Sequence, residues 1–132
     1  MEVTQLSDAA LIALTYLRAP YLYGSKDPIK GIDCSGMIEL VLRKLDILPK
    51  GQGNLNSQMI FEYLSKNKNF MSYGVPSQDC ILFFRESDGK IHHIALAINE
   101  RLMIEATGLN DICEINRIDR LKTLSECIKI YY

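Results

Sequence analysis

The 132-residue sequence lacks the signatures of several common protein classes. It has no Cys-x-x-Cys pair and no ladder of cysteines and histidines, so a structural zinc site is poorly supported. Its 15 basic and 16 acidic residues give a formal net charge of -1, which does not favour a basic nucleic-acid-binding protein. The apolar stretch over residues 9–17 is interrupted by Thr15 and is too short to span a bilayer. We therefore expect no metal, no nucleic acid and no membrane among its partners.

The start of the chain lacks the positive n-region of a secretory signal peptide. This absence predicts synthesis in the cytoplasm, without export by the chain itself. It also favours reduced thiols over two disulfides. Of the four cysteines, Cys80 is predicted to fill the core, Cys113 to lie in a polar loop and Cys127 to precede the last strand, which leaves Cys34 to be explained.

Length and composition, with 48% hydrophobic and 23% charged residues, predict one globular domain over residues 1–132. Apolar residues at helical spacing predict a first helix over residues 6–17, capped by Ser7 or Thr4 and ended by Pro20. A second helix is predicted to begin near Cys34, where Asp33 occupies the N-cap position. The other predicted segments of this half are loops at 21–32 and 48–56, a short third helix at 57–64 and a polar connector at 65–69.

Strand patterns dominate the second half of the chain. The predicted strands cover residues 80–84, 91–98, 101–106 and a last segment near 128–132. The pair Asp88-Gly89 predicts a hairpin turn between the first two strands. Helices followed by strands predict an α+β fold, with N-terminal helices packed on one face of an antiparallel β-sheet.

Cys34 lies at the junction between a glycine-bearing loop and an apolar helix. The positive end of a helix dipole stabilises a thiolate there, and the free N–H groups of the first turn can hold a developing oxyanion. A nucleophile also needs a base, and the two histidines of the chain, His92 and His93, are on one predicted strand. Because their side chains alternate in direction, at most one can easily point at the helix start. The alternative is that Cys34 is a small buried residue, the commoner fate of cysteine.

Five blocks of the sequence occur in the order found in one known family. They are Pro20-Tyr21 within residues 19–24, Asp33-Cys34-Ser35-Gly36 within residues 31–38, residues 78–84, residues 93–96 and residues 101–106. Together the blocks resemble the NlpC family of cell-wall cysteine peptidases, over residues 9–108. The run Met103-Ile104-Glu105-Ala106 also resembles phage-encoded, tail-associated members of that family.

The resemblance implies a papain-like, NlpC-type fold in which the cysteine is at a helix N-terminus packed on the sheet. It implies hydrolysis of peptide or amide bonds in the stem peptides of bacterial peptidoglycan, with no metal or organic cofactor. The stem peptide is then the substrate partner, and the tail-like motif adds phage tail proteins as partners. A phage or prophage protein of this kind would reach the cell wall through a virion, a lysis system or a larger assembly.

The same resemblance implies roles for individual residues. Cys34 matches the nucleophile and His93 the general base. Tyr21 matches a tyrosine with an orienting or oxyanion role near the nucleophile. Asp33 and Ser35 match substrate-binding positions that meet the amino end of the stem peptide in some members.

Three positions depart from the family pattern. The third catalytic position, usually His, Asn or Gln, is Glu105 here, and a carboxylate can orient an imidazole and stabilise its charged form. Gln78 replaces the glycine before Asp79 and is expected to alter a turn, while Ala95 replaces a glycine and is expected to tighten packing.

Two other functions stay open. The chain could be a weakly active or inactive structural component of a phage tail, although the presence of both Cys34 and His93 argues against it. It could also be a thiol amidase or acyltransferase of the same fold that acts on another substrate, because fold alone does not fix the substrate.

Overall fold

The computed structural model of the chain describes residues 5–48, 55–67 and 70–132. Within these residues lie three α-helices: α1 Asp8–Leu14, α2 Cys34–Lys44 and α3 Ser57–Lys66. Each begins after a side chain that caps the helix, because a polar oxygen accepts a free N–H of the first turn. The three caps are Ser7, Asp33 and Asn56, which accept from the N–H groups of Ala10, Gly36 and Met59 at 3.1, 2.6 and 2.8 Å. Two parts of the prediction, Thr4 and most of the 48–56 loop, lie outside the described residues.

The described residues also contain eight β-strands: β1 Lys26–Asp27, β2 Gly31–Ile32, β3 Met71–Tyr73, β4 Cys80–Arg85, β5 Ile91–Ala97, β6 Leu102–Thr107, β7 Ile112–Arg117 and β8 Leu124–Lys129. The first two strands form a small antiparallel pair. The other six form one sheet in the order β3-β8-β4-β5-β6-β7, and every neighbouring pair is antiparallel. The predicted α+β class, with helices packed on an antiparallel sheet, is confirmed.

The sheet has a large apolar face toward the helices and a smaller one on its other side. Along β4, Ile81 and Phe83 join the helix-side core, whereas Leu82 and Phe84 belong to a second, smaller cluster. This alternation is the two-residue period of a strand buried on both faces. The second cluster includes Ile118, which lies in a single 3₁₀ turn, Ile118–Arg120, between β7 and β8.

Helix α1 ends earlier than predicted, at Leu14 rather than near residue 17. The next N–H groups bond only three residues back, from Tyr16 to the Ala13 carbonyl and from Leu17 to the Leu14 carbonyl. Such tighter bonds mark the unwinding of a last helical turn. Helix α3 instead extends to Lys66, into the predicted connector, whose residues 68–69 lie outside the described residues.

The strand prediction was wrong or incomplete in four places. Residues 21–32, predicted as a loop, contain β1 and β2, which are too short to show alternation. Strands β3 and β7 were not predicted, because they are the two sheet edges and carry many exposed or polar side chains. Cys113 is therefore buried within β7 rather than in a polar loop. The last strand is β8, with Cys127 inside it, and a register shift against β4 masks its pattern.

In the described parts of the chain, no helix is long and apolar enough to cross a membrane.

Candidate active site

Cys34 is the first residue of α2, and Asp33 fixes the start of that helix. The Asp33 carboxylate accepts from the N–H of Gly36 at 2.6 Å and of Gly24 at 2.8 Å, and from the Ser35 hydroxyl at 3.2 Å. Gly36 is needed at this position, because a Cβ there would collide with the carbonyl oxygen of Ser25. The loop before the helix is thereby held against its first turn, with Cys34 at the positive end of the helix dipole.

The thiol of Cys34 is half-buried and faces a second helix start. Its sulfur lies 3.8 Å from the hydroxyl oxygen of Ser57, the first residue of α3. Ser57 is itself buried. Ser57 was not among the predicted site residues. Its place after the capping Asn56 indicates the start of a helix, but only the packing of α3 brings its hydroxyl to the thiol.

The two adjacent histidines have different surroundings. Opposite β5, the pairing moves from Phe84 against His93 to Arg85 against Ile91, so His92 is the extra residue of a β-bulge. The His92 side chain is 49% exposed, and its Nε2 lies 2.9 Å from Oδ2 of Asp88. The His93 side chain is only 17% exposed, and its ring packs on that of Phe84 with centroids 5.3 Å apart.

His93 interacts with a sulfur on one side and a carboxylate on the other. Its Nε2 lies 2.6 Å from Oε1 of Glu105, which leaves Nδ1 for the thiol. Burial lowers the pKa of His93, but the interactions with Cys34 and Glu105 outweigh burial and raise the pKa to about 9. The ring is therefore held as an imidazolium near neutral pH when the thiolate is present, as a thiolate–imidazolium pair requires.

Glu105 is fully buried in β6 and binds three side chains. Besides His93, Asn116 Nδ2 lies 2.9 Å from its Oε2, and Arg120 reaches both oxygens at 2.6 and 2.7 Å. Burial alone would raise the pKa of Glu105, but these three partners lower it to about 2. The carboxylate is thus ionised throughout the pH range in which His93 changes charge.

Tyr21 and Ser35 also lie beside the thiol, in the wall of an open cavity of about 830 Å³. Tyr21 is half-buried, and its pKa is raised by burial and by the negative charges of Cys34 and Asp33. The cavity wall includes the candidate residues Tyr21, Asp33, Cys34 and Ser35, together with Ser57 and His92. All six sequence-predicted site residues therefore cluster around one helix start, with His93 and Glu105 behind the thiol in the sheet.

The remaining cysteines are poor nucleophiles. Cys80, Cys113 and Cys127 are almost entirely buried. Burial raises the pKa of Cys113 to about 12 and that of Cys127 to about 11, and nearby carboxylates or thiols add to both shifts. Among the described residues, no group of three or more His, Cys, Asp or Glu side chains is arranged to hold a metal ion.

A cysteine at a helix start, next to a histidine–carboxylate pair on an antiparallel sheet, is the arrangement of a papain-like α+β protein, and solved structures share this fold. The NlpC/p60 domain of the peptidoglycan hydrolase SagA superposes with a TM-score of 0.68 at 20% identity, covering 92% of this chain and 96% of that one. RipB, a peptidoglycan hydrolase from Mycobacterium tuberculosis, gives 0.66 at 17% identity, covering 94% and 64%. An NLP/P60 protein similar to a lipoprotein, from Staphylococcus aureus, gives 0.71 at 19% identity, covering 98% and 44%.

The sequence profile of the NlpC/P60 family matches residues 18–124. The chain therefore belongs to the NlpC/P60 family. It spans almost all of the SagA domain but less than half of the S. aureus protein. No curated protein matches the chain.

Proposed function

We propose that the protein is a cysteine hydrolase that cleaves peptide or amide bonds in the stem peptides of bacterial peptidoglycan. The observation that carries this proposal is the arrangement of Cys34, His93 and Glu105. The thiol opens a helix and raises the pKa of His93, while Glu105 binds the other ring nitrogen. This chain of contacts supports the proposal, because acyl transfer needs a nucleophile next to a base and an orienting group on the other side of that base.

The proposed reaction has two steps. The Cys34 thiolate attacks the scissile carbonyl carbon, and first-turn N–H groups of α2 stabilise the oxyanion. The C–N bond breaks as the His93 imidazolium gives its proton to the departing amine. His93, now neutral, accepts a proton from water as the water oxygen attacks the thioester; the C–S bond breaks, the acid leaves, and the Cys34 thiolate and His93 imidazolium are restored. Glu105 favours the imidazolium form in both steps.

The stem peptide is proposed as substrate because of the family and the cavity. The SagA domain and RipB, which share the fold, are described as peptidoglycan hydrolases. Asp33 and Ser35 line the cavity beside the thiol, so an amino group of a stem peptide placed there would meet a carboxylate and a hydroxyl. Tyr21 lines the same wall and is proposed to orient the reacting carbonyl.

Turnover of purified muropeptides, followed by mass spectrometry, tests the proposal. We expect the wild-type chain to release stem fragments, and Cys34→Ala and His93→Ala to abolish release. Arg117→Gln is the control, because Arg117 is 70% exposed and is not among the residues that line the cavity; it should keep activity within a few-fold. His92→Ala removes the neighbouring ring from the cavity wall and should lose far less activity than His93→Ala. Cleavage by Cys34→Ala would contradict the proposed nucleophile. No cleavage by the wild type of muropeptides of different stem chemistry would contradict the proposed substrate.

We also propose that the chain is phage or prophage encoded and works in a tail-associated assembly. The support is the Met103-Ile104-Glu105-Ala106 run, which resembles tail-associated family members. Antibody labelling of purified tail particles from the source strain would test it. Label on the tails is expected, and its restriction to unassembled protein would contradict a tail-associated role.

A further inference from the structure

Arg120 reaches the buried carboxylate from outside the two strands that carry His93 and Glu105. Its Nε lies 2.6 Å from Oε2 of Glu105 and its Nη2 lies 2.7 Å from Oε1. The two bonds form a bidentate pair, in which the planar guanidinium fixes the plane of the carboxylate. The Arg120 side chain is 25% exposed, whereas that of Glu105 is wholly buried.

The 3₁₀ turn that carries Arg120 is anchored independently of this ion pair. Ile118, at its start, is buried in the smaller apolar cluster, and Leu121 packs against the same cluster. The Ile118 N–H also donates to the Arg101 carbonyl at 2.9 Å. Apolar packing of this short segment thus positions Arg120 beside Glu105.

The four hydrogen bonds to Glu105 use both of its oxygens. Oε1 accepts from His93 Nε2 and from Arg120 Nη2, while Oε2 accepts from Arg120 Nε and from Asn116 Nδ2. An ionised carboxylate offers about four acceptor sites, so these donors match its capacity. Oε1 is thereby held against the His93 ring, because rotation of the carboxylate would break the hydrogen bonds to Oε2.

The charge of Arg120 also favours a fixed, ionised Glu105. A wholly buried carboxyl with no cation beside it tends to take up a proton, and a protonated Glu105 would no longer stabilise an imidazolium. His93 alone cannot prevent this throughout turnover, because it becomes neutral after it protonates the leaving amine. Arg120 keeps its charge at every pH of interest, so it remains as a counter-charge at that step.

We propose that Arg120 is a positioning residue of the hydrolase: it keeps Glu105 ionised and aimed at Nε2 of His93 while the imidazole loses and regains its proton. Asn116 assists by holding the second oxygen. Arg120 acts through Glu105 and does not touch the substrate. This inference rests on the proposed thiol chemistry, but not on the identity of the substrate.

The test compares Arg120→Gln and Arg120→Lys with Arg117→Gln. Arg117 is the matched control because it lies three residues away, is 70% exposed and pairs with Asp119 rather than with Glu105. The substrate-independent measurement is the rate of Cys34 alkylation by iodoacetamide from about pH 4 to about pH 9, which reports the thiolate. Turnover of muropeptides, with kcat and KM separated, and the melting temperature complete the set.

In Arg120→Gln, the loss of an adjacent cation should raise the pKa of Glu105 by about 1–3 units. We therefore expect alkylation to slow most at acid pH, so that the ratio of wild-type to variant rate grows as the pH falls. The value of kcat should fall with little change in KM. Arg120→Lys keeps the charge but not the bidentate geometry. Its alkylation rate at acid pH should therefore return to the wild-type value, while its kcat stays reduced. Arg117→Gln should match the wild type in both.

Two results would overturn the proposal. One is a wild-type alkylation profile and kcat in Arg120→Gln. The other is a lower melting temperature with an unchanged pH profile, which would indicate a purely structural ion pair. If Arg120→Gln does not fold, Arg120→Lys is compared with Glu105→Gln. An alkylation rate at acid pH that falls as much in Arg120→Lys as in Glu105→Gln would also count against the proposal. A shifted profile in Arg120→Gln, with no muropeptide turnover even by the wild type, would support Arg120 and reject the proposed substrate instead.

Discussion

Two buried carboxylates, Glu39 in α2 and Glu105 in β6, look alike and have different surroundings. Both side chains are at most 1% exposed and both bind an arginine. Glu39 binds Lys26, accepts from Arg43 Nε at 3.0 Å and accepts from the N–H of Leu55 at 2.8 Å. It therefore joins β1, α2 and the segment before α3, which are three of the pieces of chain that line the cavity. Burial raises the pKa of Glu39, but its partners outweigh burial and lower it.

The difference between the two lies in what their partners can do. In the described residues, Glu39 binds a lysine, an arginine and a backbone amide, none of which gives or takes a proton in the proposed reaction. Glu105 binds a cation, an amide and an imidazole, and the imidazole changes charge. A buried ion pair is weak evidence for either stability or function until its partners are considered. Here we assign Glu39 to the fold and Glu105 to the chemistry.

Replacing each glutamate with alanine tests whether Glu39 serves the fold and Glu105 the chemistry. We expect Glu105→Ala to lose about 10²-fold or more in kcat/KM on muropeptides, because an orienting carboxylate acts through the tautomer and charge of the imidazole. Glu39→Ala, assayed as the folded fraction, should keep the alkylation profile of Cys34. Near-full activity of Glu105→Ala would leave a Cys34–His93 dyad with another partner for the ring.

The expected effect of Glu39→Ala is on stability. Removing Glu39 leaves the charges of its buried ion pairs without compensation, which lowers the free energy of unfolding. Because Lys26 is partly exposed to water, we expect a loss of about 3 kcal/mol, at the low end for a broken buried pair. Urea unfolding at neutral pH measures it. A stable Glu39→Ala with altered Cys34 alkylation would instead place Glu39 in the site.

The contrast between these carboxylates also marks what the sequence could predict. Local signals were sufficient for the start of α2: Asp33 is a capping residue three positions before a glycine, and the structure shows that bond. The fold class followed from helices preceding alternating strands, and the choice of His93 over His92 from strand alternation with a family motif. Their catalytic roles stay predictions.

The rest depends on contacts between distant parts of the chain. Arg120 and Asn116 reach Glu105 because β7, an edge strand with a mixed polar pattern, pairs with β6 and leads into the 3₁₀ turn. No local pattern predicts that pairing or the bulge at His92. Ser57 reaches the thiol only through the packing of α3. Register and packing are tertiary properties, so these residues were missed.

A milder substitution tests whether Glu105 acts on His93 through its charge. Glu105→Gln keeps the shape and a hydrogen bond to His93 but removes the charge, so the pKa of His93 should fall from about 9. We expect a loss of about 10-fold in kcat/KM, smaller than for alanine, and a loss of alkylation at pH values where a neutral imidazole no longer favours the thiolate. NMR titration of the His93 ring measures the pKa directly, and Glu39→Gln is the matched control. An unchanged His93 pKa in Glu105→Gln would contradict an electrostatic role.

The smallest expected effect concerns stability in acid, where the two carboxylates should behave alike. The pKa of Glu105 is about 2 in the folded chain against an ordinary value of 4.5, so its contribution to stability is fully present above about pH 4.5 and is lost as the pH falls toward 2. Glu39, whose pKa is also lowered, has the same sign. Between about pH 5 and about pH 3 the contribution of Glu105 should shrink by about 2 kcal/mol. Urea unfolding of Glu105→Gln and Glu39→Gln across this range should therefore show flatter acid dependence than the wild type in both variants. Because linkage depends only on the pKa difference between the folded and unfolded chain, it does not distinguish a structural carboxylate from a reactive one; an acid slope that only Glu105→Gln flattens would mean that the Glu39 pairs do not hold in solution.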